Sequence, residues 1–485
     1  MPSGTTIRPL PPSRSPLLLT DGPATRFGAV SSPVVLVSNR GPLSFLEDGG
    51  ELVATRGGGG LVSGLAPLVA GTDTIWIAAA LTDADRTAAT RGVIEADGLR
   101  ARTLAIDPAI MAKSYDVGCN VMLWFLYHGL RDLSRRPIID RRFREAWDAY
   151  RSYNHSFAEV VRAESPDGAT VLVQDYHLAL LGPMVREARP DLRTVHFSHT
   201  PFASPLQIRV LPHDIAWELL EGMAGHDACG FHSQRWANDF QACCREVLGR
   251  EPRTFVSPLV PDADDIRGVA QSDRCNNEVA VINSELGDRR LIVRVDRIEL
   301  SKNLLRGFRA YDQMLADRPD LRGTVVFRAL GYPSREGLPE YLAYRAEIEA
   351  LTDVINRRWR TDDWEPIELD LVDDFPKSIA HLRRYDVLMV NPIRDGLNLV
   401  AKEGPLVNEH NGTVALSREA GVRDELAGAV RTVNPYDSTD QALALAEALD
   451  MDTSIRAEQS AEVRRRSESS NPADWLNDQL AAATA

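Results

Sequence analysis

Cysteine is scarce in this chain: five residues in 485, an odd number, with no C-x-x-C pair. That excludes a disulfide scaffold, makes zinc an unexpected ligand, and fits reduced thiols in a cytoplasmic protein. No run approaches the roughly 18 apolar residues that a membrane-spanning helix requires. The N-terminus lacks an apolar core of signal-peptide length, since PLLLT (16–20) is too short and sits among prolines. A basic excess is missing too. Lys and Arg number 55 against 69 Asp and Glu, for a net charge of -14. An acidic surface argues against nucleic acid or an anionic membrane as the main partner, yet leaves room for a local basic pocket. No repeat of fixed period is present. Residues 1–31, rich in Pro, Ser, Thr and Gly, read as a flexible leader.

What is there is an alternation. Apolar residues make up 44% and charged residues 26%, the balance of a soluble globular protein. Continuously apolar, β-branched runs recur: PVVLVSN (33–39), TIWIAAA (74–80), ATVLVQD (169–175), LRTVHFS (192–198), RLIVRVD (290–296), GTVVFRAL (323–330), DVLMVNP (386–392) and GTVALS (412–417). Such runs fit strands buried on both faces. Helical stretches such as 143–164 lie between most of them, which means parallel sheets and an α/β chain. A polar, weakly periodic stretch at 262–288 reads as the tail of one domain and a link to the next. The expected organisation is a leader (1–31), an N-terminal Rossmann-like domain (32–270), a C-terminal Rossmann-like domain (271–455) and a helical segment (456–485). Ligands of such sheets bind beyond the carboxyl ends of the strands.

Polar motifs fall at those ends. SNRGP (38–42) places Arg40 after the first strand. TRGGGGLVSGL (55–65) exposes backbone N–H groups of consecutive glycines before a helix start, which suits a phosphate, although a mobile surface loop reads equally well. The pattern is a poor match to the dinucleotide-binding fingerprint. Asp175 ends another strand, and His177 beside it is either functional or, as the favoured reading, a core histidine satisfied by backbone. His199 follows a third strand in a loop stiffened by Pro201. In VDRIELSKN (295–303), Arg297 and Lys302 suit a diphosphate, the Lys as a point charge and the Arg as a planar fork. Arg335 follows a further strand. RDGLNLVAKE (394–403) comes straight after an apolar run; a helix from about Leu397 would aim the N–H groups of Leu397 to Val400 into a cleft, with Asp395 and Glu403 as acceptors for hydroxyls. Together these cations, carboxylates and glycines suit a ligand with a diphosphate and many hydroxyls, such as a nucleotide sugar.

The set VVLVSNRGP, GGGGLVSGL, DYHLALL, FSHTPFASP, GFHSQRWANDF, VDRIELSKN, PSRE, RDGLNLVAKE and VNPYD, in that order across roughly 33–450, resembles the trehalose-6-phosphate synthase family of retaining glycosyltransferases. The resemblance implies a GT-B fold, two Rossmann-like doubly wound domains facing across a cleft, with a C-terminal helix that crosses back. It implies a nucleotide-diphospho-glucose donor (UDP- or GDP-linked), a sugar-phosphate acceptor, no other cofactor and no metal. It places Arg40, Tyr115, Trp124, Asp175 and Arg335 on the acceptor side. It places Gly59 and Gly60 in the loop that closes over both substrates. Arg297 and Lys302 would hold the donor diphosphate, Asp395 the donor sugar, Glu403 the ribose, and Gly396, Leu397, Asn398, Leu399 and Val400 the rest of the donor contact. His199, Asp175, Arg297 and Lys302 are the expected catalytic set.

The sequence also departs from the family pattern. Gln174 stands where the family usually has His, and TIWIAAALTDADR, DPAIM and EGPLVNEHNGTVALS look more like the validoxylamine 7'-phosphate synthase type. An alternative expectation is therefore a natural-product glycosyl- or pseudoglycosyltransferase that joins a nucleotide-activated sugar or cyclitol to an (amino)cyclitol or aminosugar phosphate in antibiotic biosynthesis. A third is a sugar-phosphate sensor, against which the retained cations argue. The expected partners are small molecules only, with no nucleic acid or membrane; a homo-oligomer is expected, and no phosphatase domain is expected after the last helix.

Overall fold

The computed structural model describes residues 32–48, 51–57 and 60–484; the leader (1–31) and Gly59 lie outside the described residues. Among the described residues sixteen strands run β1 (Val34–Ser38), β2 (Leu43–Asp48), β3 (Glu51–Arg56), β4 (Ile75–Ala79), β5 (Val93–Ala96), β6 (Leu99–Leu104), β7 (Thr170–Gln174), β8 (Arg193–Ser198), β9 (Ala228–Phe231), β10 (Thr254–Val256), β11 (Arg290–Arg297), β12 (Val325–Tyr332), β13 (Ile367–Asp370), β14 (Val387–Val390), β15 (Thr413–Ser417) and β16 (Arg431–Val433). Each apolar run of the sequence is one of them. β4, β7 and β14 are buried at every position, as strands covered by helices on both faces must be.

Two large sheets form. The first is eight-stranded in the order β10-β9-β8-β7-β1-β4-β6-β5; the second is six-stranded in the order β13-β12-β11-β14-β15-β16. All neighbours are parallel except β5 against β6. Both sheets are doubly wound. The first changes direction between β1 and β7, and the second between β11 and β14. Such switch points open a crevice at the carboxyl ends of the strands. Arg40 follows β1, Asp175 follows β7, Lys302 follows β11 and Asp395 follows β14, so chemistry sits at both crevices.

The polar stretch at 262–288 is two helices, Ala263–Ala270 and Asp273–Leu286, capped by the side chains of Asp262 and Ser272. The first packs on the helices Phe375–Arg384 and Val400–Val407, and the second on Phe375–Arg384, all second-sheet helices. The chain end does the reverse. Helix Thr453–Ser467 packs on Val400–Val407, then Asn471 caps helix Pro472–Ala482, which lies on β7, β8 and helix Gly60–Val69 of the first sheet. Trp475, 1% exposed, is wedged against Phe197. Its truncation to Ala would cost about 3–5 kcal/mol of that docking. Among the described residues no helix is long and apolar enough to cross a membrane.

Candidate active site

The first-sheet wall is built from three strand ends and one unusual helix. After β1, Asn39 accepts from the Tyr153 hydroxyl at 2.6 Å, which holds the turn that leaves Arg40 exposed. After β7, Asp175 adopts a positive φ of 72°. Its Oδ1 accepts from the His199 backbone N–H at 3.2 Å. Burial pushes the Asp175 carboxyl up to about 6, against the pull of backbone donors, Arg335 and Arg297. Residues Lys113–Leu123 form an eleven-residue π-helix, a form that often marks functional sites. It carries Tyr115 and ends at Trp124. Tyr115 stacks on His177 with centroids 5.7 Å apart. His177 is not the backbone-satisfied core histidine expected. Its Nδ1 is buried without a hydrogen-bond partner, 3.8 Å from Asp175 Oδ2. Burial, with Arg335 and Arg40 nearby, pushes its pKa down to about 3.

The second-sheet wall is a chain of charges. Lys302 Nζ donates to Asp395 Oδ2 at 2.6 Å, with side chains 13% and 15% exposed. Burial alone would raise the Asp395 carboxyl, but Lys302 holds it below the usual carboxylate range. Arg297 is 48% exposed and pairs with Glu299 at 3.0 Å, so its guanidinium is open to an arriving anion. Arg335 Nη1 shares the same Glu299 Oε1 at 3.0 Å and donates to the Tyr341 hydroxyl at 2.6 Å. Its guanidinium lies 5.0 Å from the Trp124 ring centroid. That cation–π contact joins the two walls. Burial works to raise Glu299, yet Arg297, Arg335 and Lys302 hold it at about 2.

RDGLNLVAKE divides its polar groups between two tasks. Arg394 points into the first lobe: its guanidinium donates to Phe202 O, Asp239 and Gln207 at 2.7–2.8 Å and lies 4.6 Å from the Trp236 ring centroid. Lys402 is fully buried on Glu425 at 2.6 Å. Glu403, about 100° further round the helix, faces another way, and burial pushes it up to about 7 while Lys302 pulls it down. The helix starts at Val400 rather than near Leu397. Asn398 at φ 81° breaks the helical path, and its amide donates to Asp395 at 3.2 Å. Leu397, 3% exposed, is a core side chain. Val400 opens the helix with no side-chain cap; the Lys402 and Glu403 N–H groups donate to Leu399 O, and those of Val400 and Ala401 are left for water or an anion. Gly396 sits where a Cβ would fall 1.9 Å from His199 O, so only glycine lets the lobes close at this point.

Of the residues expected to act together, Tyr115, Trp124, Asp175, Arg335, Arg297, Lys302 and Asp395 are linked by direct contacts or by shared electrostatics. Arg40 is on the same wall. Gly60 begins helix Gly60–Val69. Two residues central to the wiring were missed: Glu299, a buried carboxylate between two arginines, and Arg394. The only sequence signal for either was its place inside a strand-end motif. Backbone strain marks the same place. Six described non-glycine residues have positive φ, and four of them, Asp175, Asn303, Arg335 and Asn398, lie in the site loops, where strain concentrates in functional sites.

Residues 32–485 match the family model described as glycosyltransferase family 20. The chain belongs to that family. This family 20 member is 32% identical over 458 residues to a trehalose-6-phosphate synthase of Mycobacterium sp. (strain JLS), covering 88% of the chain and 91% of the relative. It is 30% identical over 450 residues to a UDP-forming α,α-trehalose-phosphate synthase of Aspergillus niger, with 88% and 91% covered. Among solved structures, the UDP-forming synthase of Burkholderia vietnamiensis superposes with a TM-score of 0.82 at 27% identity over 93% of this chain and 99% of that one. The Burkholderia xenovorans synthase in complex with glucose-6-phosphate gives 0.82 at 25% identity, with 94% and 100% covered. The two-sheet GT-B architecture of this glycosyltransferase is that of these neighbours.

Proposed function

We propose that this family 20 enzyme moves glucose from a nucleotide-diphosphate glucose to a sugar phosphate, with retention, to give an α,α-1,1-linked trehalose-6-phosphate-type product. The observation that carries this reading is the pairing of two charge-bearing switch-point crevices across one cleft, with Arg335 of the second lobe over Trp124 of the first. Arg297, Lys302 and the uncapped helix start at Val400 receive the donor diphosphate. Asp395 accepts from donor-sugar hydroxyls and Glu403 from the ribose. Arg40, Arg335, Tyr115 and Trp124 hold the acceptor phosphate and ring, and Asp175 takes a hydrogen bond from the acceptor.

In the chemical step the bond from sugar C1 to the diphosphate oxygen breaks. The acceptor hydroxyl oxygen bonds to C1 on the same face, and its proton passes to the departing phosphate oxygen. Negative charge grows on the diphosphate in the transition state, so fixed cations there lower the barrier more than they tighten ground-state binding. The test is nucleotide release from UDP-glucose and from GDP-glucose with glucose 6-phosphate, with product analysis. Release with a disaccharide phosphate supports the reading. Turnover only with a cyclitol phosphate transfers support to the natural-product alternative, and donor binding without turnover against either acceptor class overturns both.

A further inference from the structure

The chain end reaches the reaction centre through a buried row of side chains. Gln479, in the returning helix Pro472–Ala482, and Gln174, at the end of β7, are both fully buried. Gln174 Nε2 lies 2.9 Å from Gln479 Oε1, and Gln174 Oε1 lies 3.0 Å from His199 Nε2. His199 Nδ1 lies 3.2 Å from His232 Nε2, and His232 Nδ1 accepts the Leu259 backbone N–H at 3.2 Å. The Gln479 amide nitrogen donates to the Trp475 carbonyl one turn back at 3.5 Å, which turns its Oε1 toward Gln174. Gln174 Nε2 then donates to Gln479 Oε1, and Gln174 Oε1 accepts from His199 Nε2. His199 Nδ1 is left as the acceptor for His232 Nε2, an arrangement the Leu259 N–H at His232 Nδ1 permits. The Ser257 backbone hydrogen-bonds the same His232 ring, so His232 does not set this direction unaided. Trp475 of the same helix lies against the His199 ring, with centroids 5.8 Å apart.

We infer that Gln479 and Gln174 are positioning residues through which the docked C-terminal helix fixes the tautomer and ring orientation of His199. The consequence is specific. Both ring nitrogens of His199 are engaged inside the protein, so the imidazole is a held wall and not an acid or base, and the atom it fixes at the lobe seam is its carbonyl oxygen beside Gly396. Just before it, helix Thr453–Ser467 packs on the second lobe, so the joining of the lobes and the His199 orientation share one piece of chain.

The proposal rests on the glycosyltransferase reading for its kinetic arm only. Gln479→Met keeps the volume and removes the acceptor; Gln479→Glu restores an acceptor oxygen. In the free full-length protein labelled with 15N-histidine, wild type shows His199 as the Nε2–H tautomer, assigned by loss of its signals in His199→Asn. Gln479→Met shows mixed tautomers. In turnover, kcat falls about tenfold while KM for donor and acceptor stays within about twofold, the signature of lost positioning, and Gln479→Glu recovers most of it. An unchanged tautomer in Gln479→Met overturns the proposal. So does a kcat loss that Gln479→Glu fails to recover at an equal melting temperature. Failure of wild type to turn over glucose donors sinks the functional reading instead, and leaves the tautomer arm to decide this one.

Discussion

Replacing Lys302 by Met separates the two tasks of the donor-side cation. The ammonium sits 2.6 Å from Asp395 Oδ2 in a pair only 13% and 15% exposed. Met keeps the bulk and removes the charge. Asp395 then retains only the Asn398 amide at 3.2 Å and the Leu397 N–H at 3.4 Å. A buried charge stripped of its partner costs about 3–5 kcal/mol. The pH dependence changes sign. In wild type Lys302 outweighs burial and lowers the Asp395 pKa, so the pair's stability is present above the unfolded value of about 3.9 and lost as pH falls through the lower native one. In Lys302→Met burial, the largest influence on Asp395, is opposed only by the smaller pulls of His128 and Arg297, so that pKa rises and the variant regains stability as pH falls through it. Catalysis is a second loss of about 3–4 kcal/mol, or ~100–1,000-fold in kcat. Urea denaturation on the acid and alkaline sides of neutrality reads the first loss, and nucleotide release reads the second. The double variant Lys302→Met/Asp395→Asn relieves the stranded charge and regains stability to within about 1 kcal/mol, but not the rate. A Lys302→Met enzyme within about threefold of wild-type kcat, under 1 kcal/mol of barrier, refutes the assignment, and so does a double variant that recovers rate along with stability.

Three further outcomes follow from the same contacts. Arg335→Ala removes a cation held by Glu299, Tyr341 and Trp124; steady-state kinetics should show acceptor KM rising by about 10–100-fold, the worth of a charge-assisted hydrogen bond, with donor KM unchanged. Glu403 is pushed up to about 7 from 4.5, so the native state keeps a proton that the unfolded chain has released. Stability therefore falls as pH rises across that window, and a denaturation series should find the fall flattened in Glu403→Gln. Arg394→Met takes the guanidinium from the half-buried Asp239 and from Phe202 O and should cost about 1–3 kcal/mol by calorimetry; Arg394→Lys should not restore it, because an ammonium cannot reproduce the fork over Trp236.

The parts of the fold legible in the sequence were those with a strong local signal. Runs such as VVLVS and VLMV are β-branched or continuously apolar and admit one reading. The edge and near-edge strands escaped: Thr254–Val256 and Arg431–Val433 have three residues each, too few to show a period, and Leu99–Leu104 alternates buried with half-buried positions. The π-helix Lys113–Leu123 could not be read, since its hydrogen bonding has no residue code. In the site, cations at strand ends were visible because burial of the preceding strand throws them into relief. Glu299 and Arg394 were not, because their roles depend on partners 36 and 155 or more positions away. The sequence pattern puts the helix start three residues early because nothing in LNL announces that Asn398 takes a left-handed backbone.

Glu299 shows how a site built from cations stays assembled before any anionic substrate arrives. Arg297 and Arg335 each pair with it at 3.0 Å, Ser334 donates to it at 3.0 Å, and it is 1% exposed. Two bare guanidiniums at this spacing would repel, and their side chains would sample many rotamers. A shared carboxylate that stays ionised down to about pH 2 removes most of that repulsion and fixes both forks. Lys302 is fixed by Asp395 in the same way. The orientation entropy of the cations is therefore lost during folding, not at the moment of reaction, and little reorganisation remains when the diphosphate departs. Arg297 keeps half its surface open and Arg335 keeps a positive charge not fully cancelled, because one carboxylate faces two guanidiniums. A neutral residue at 299 would leave the same cations in the sequence but not in one place, and it is their fixed place that converts charge into rate.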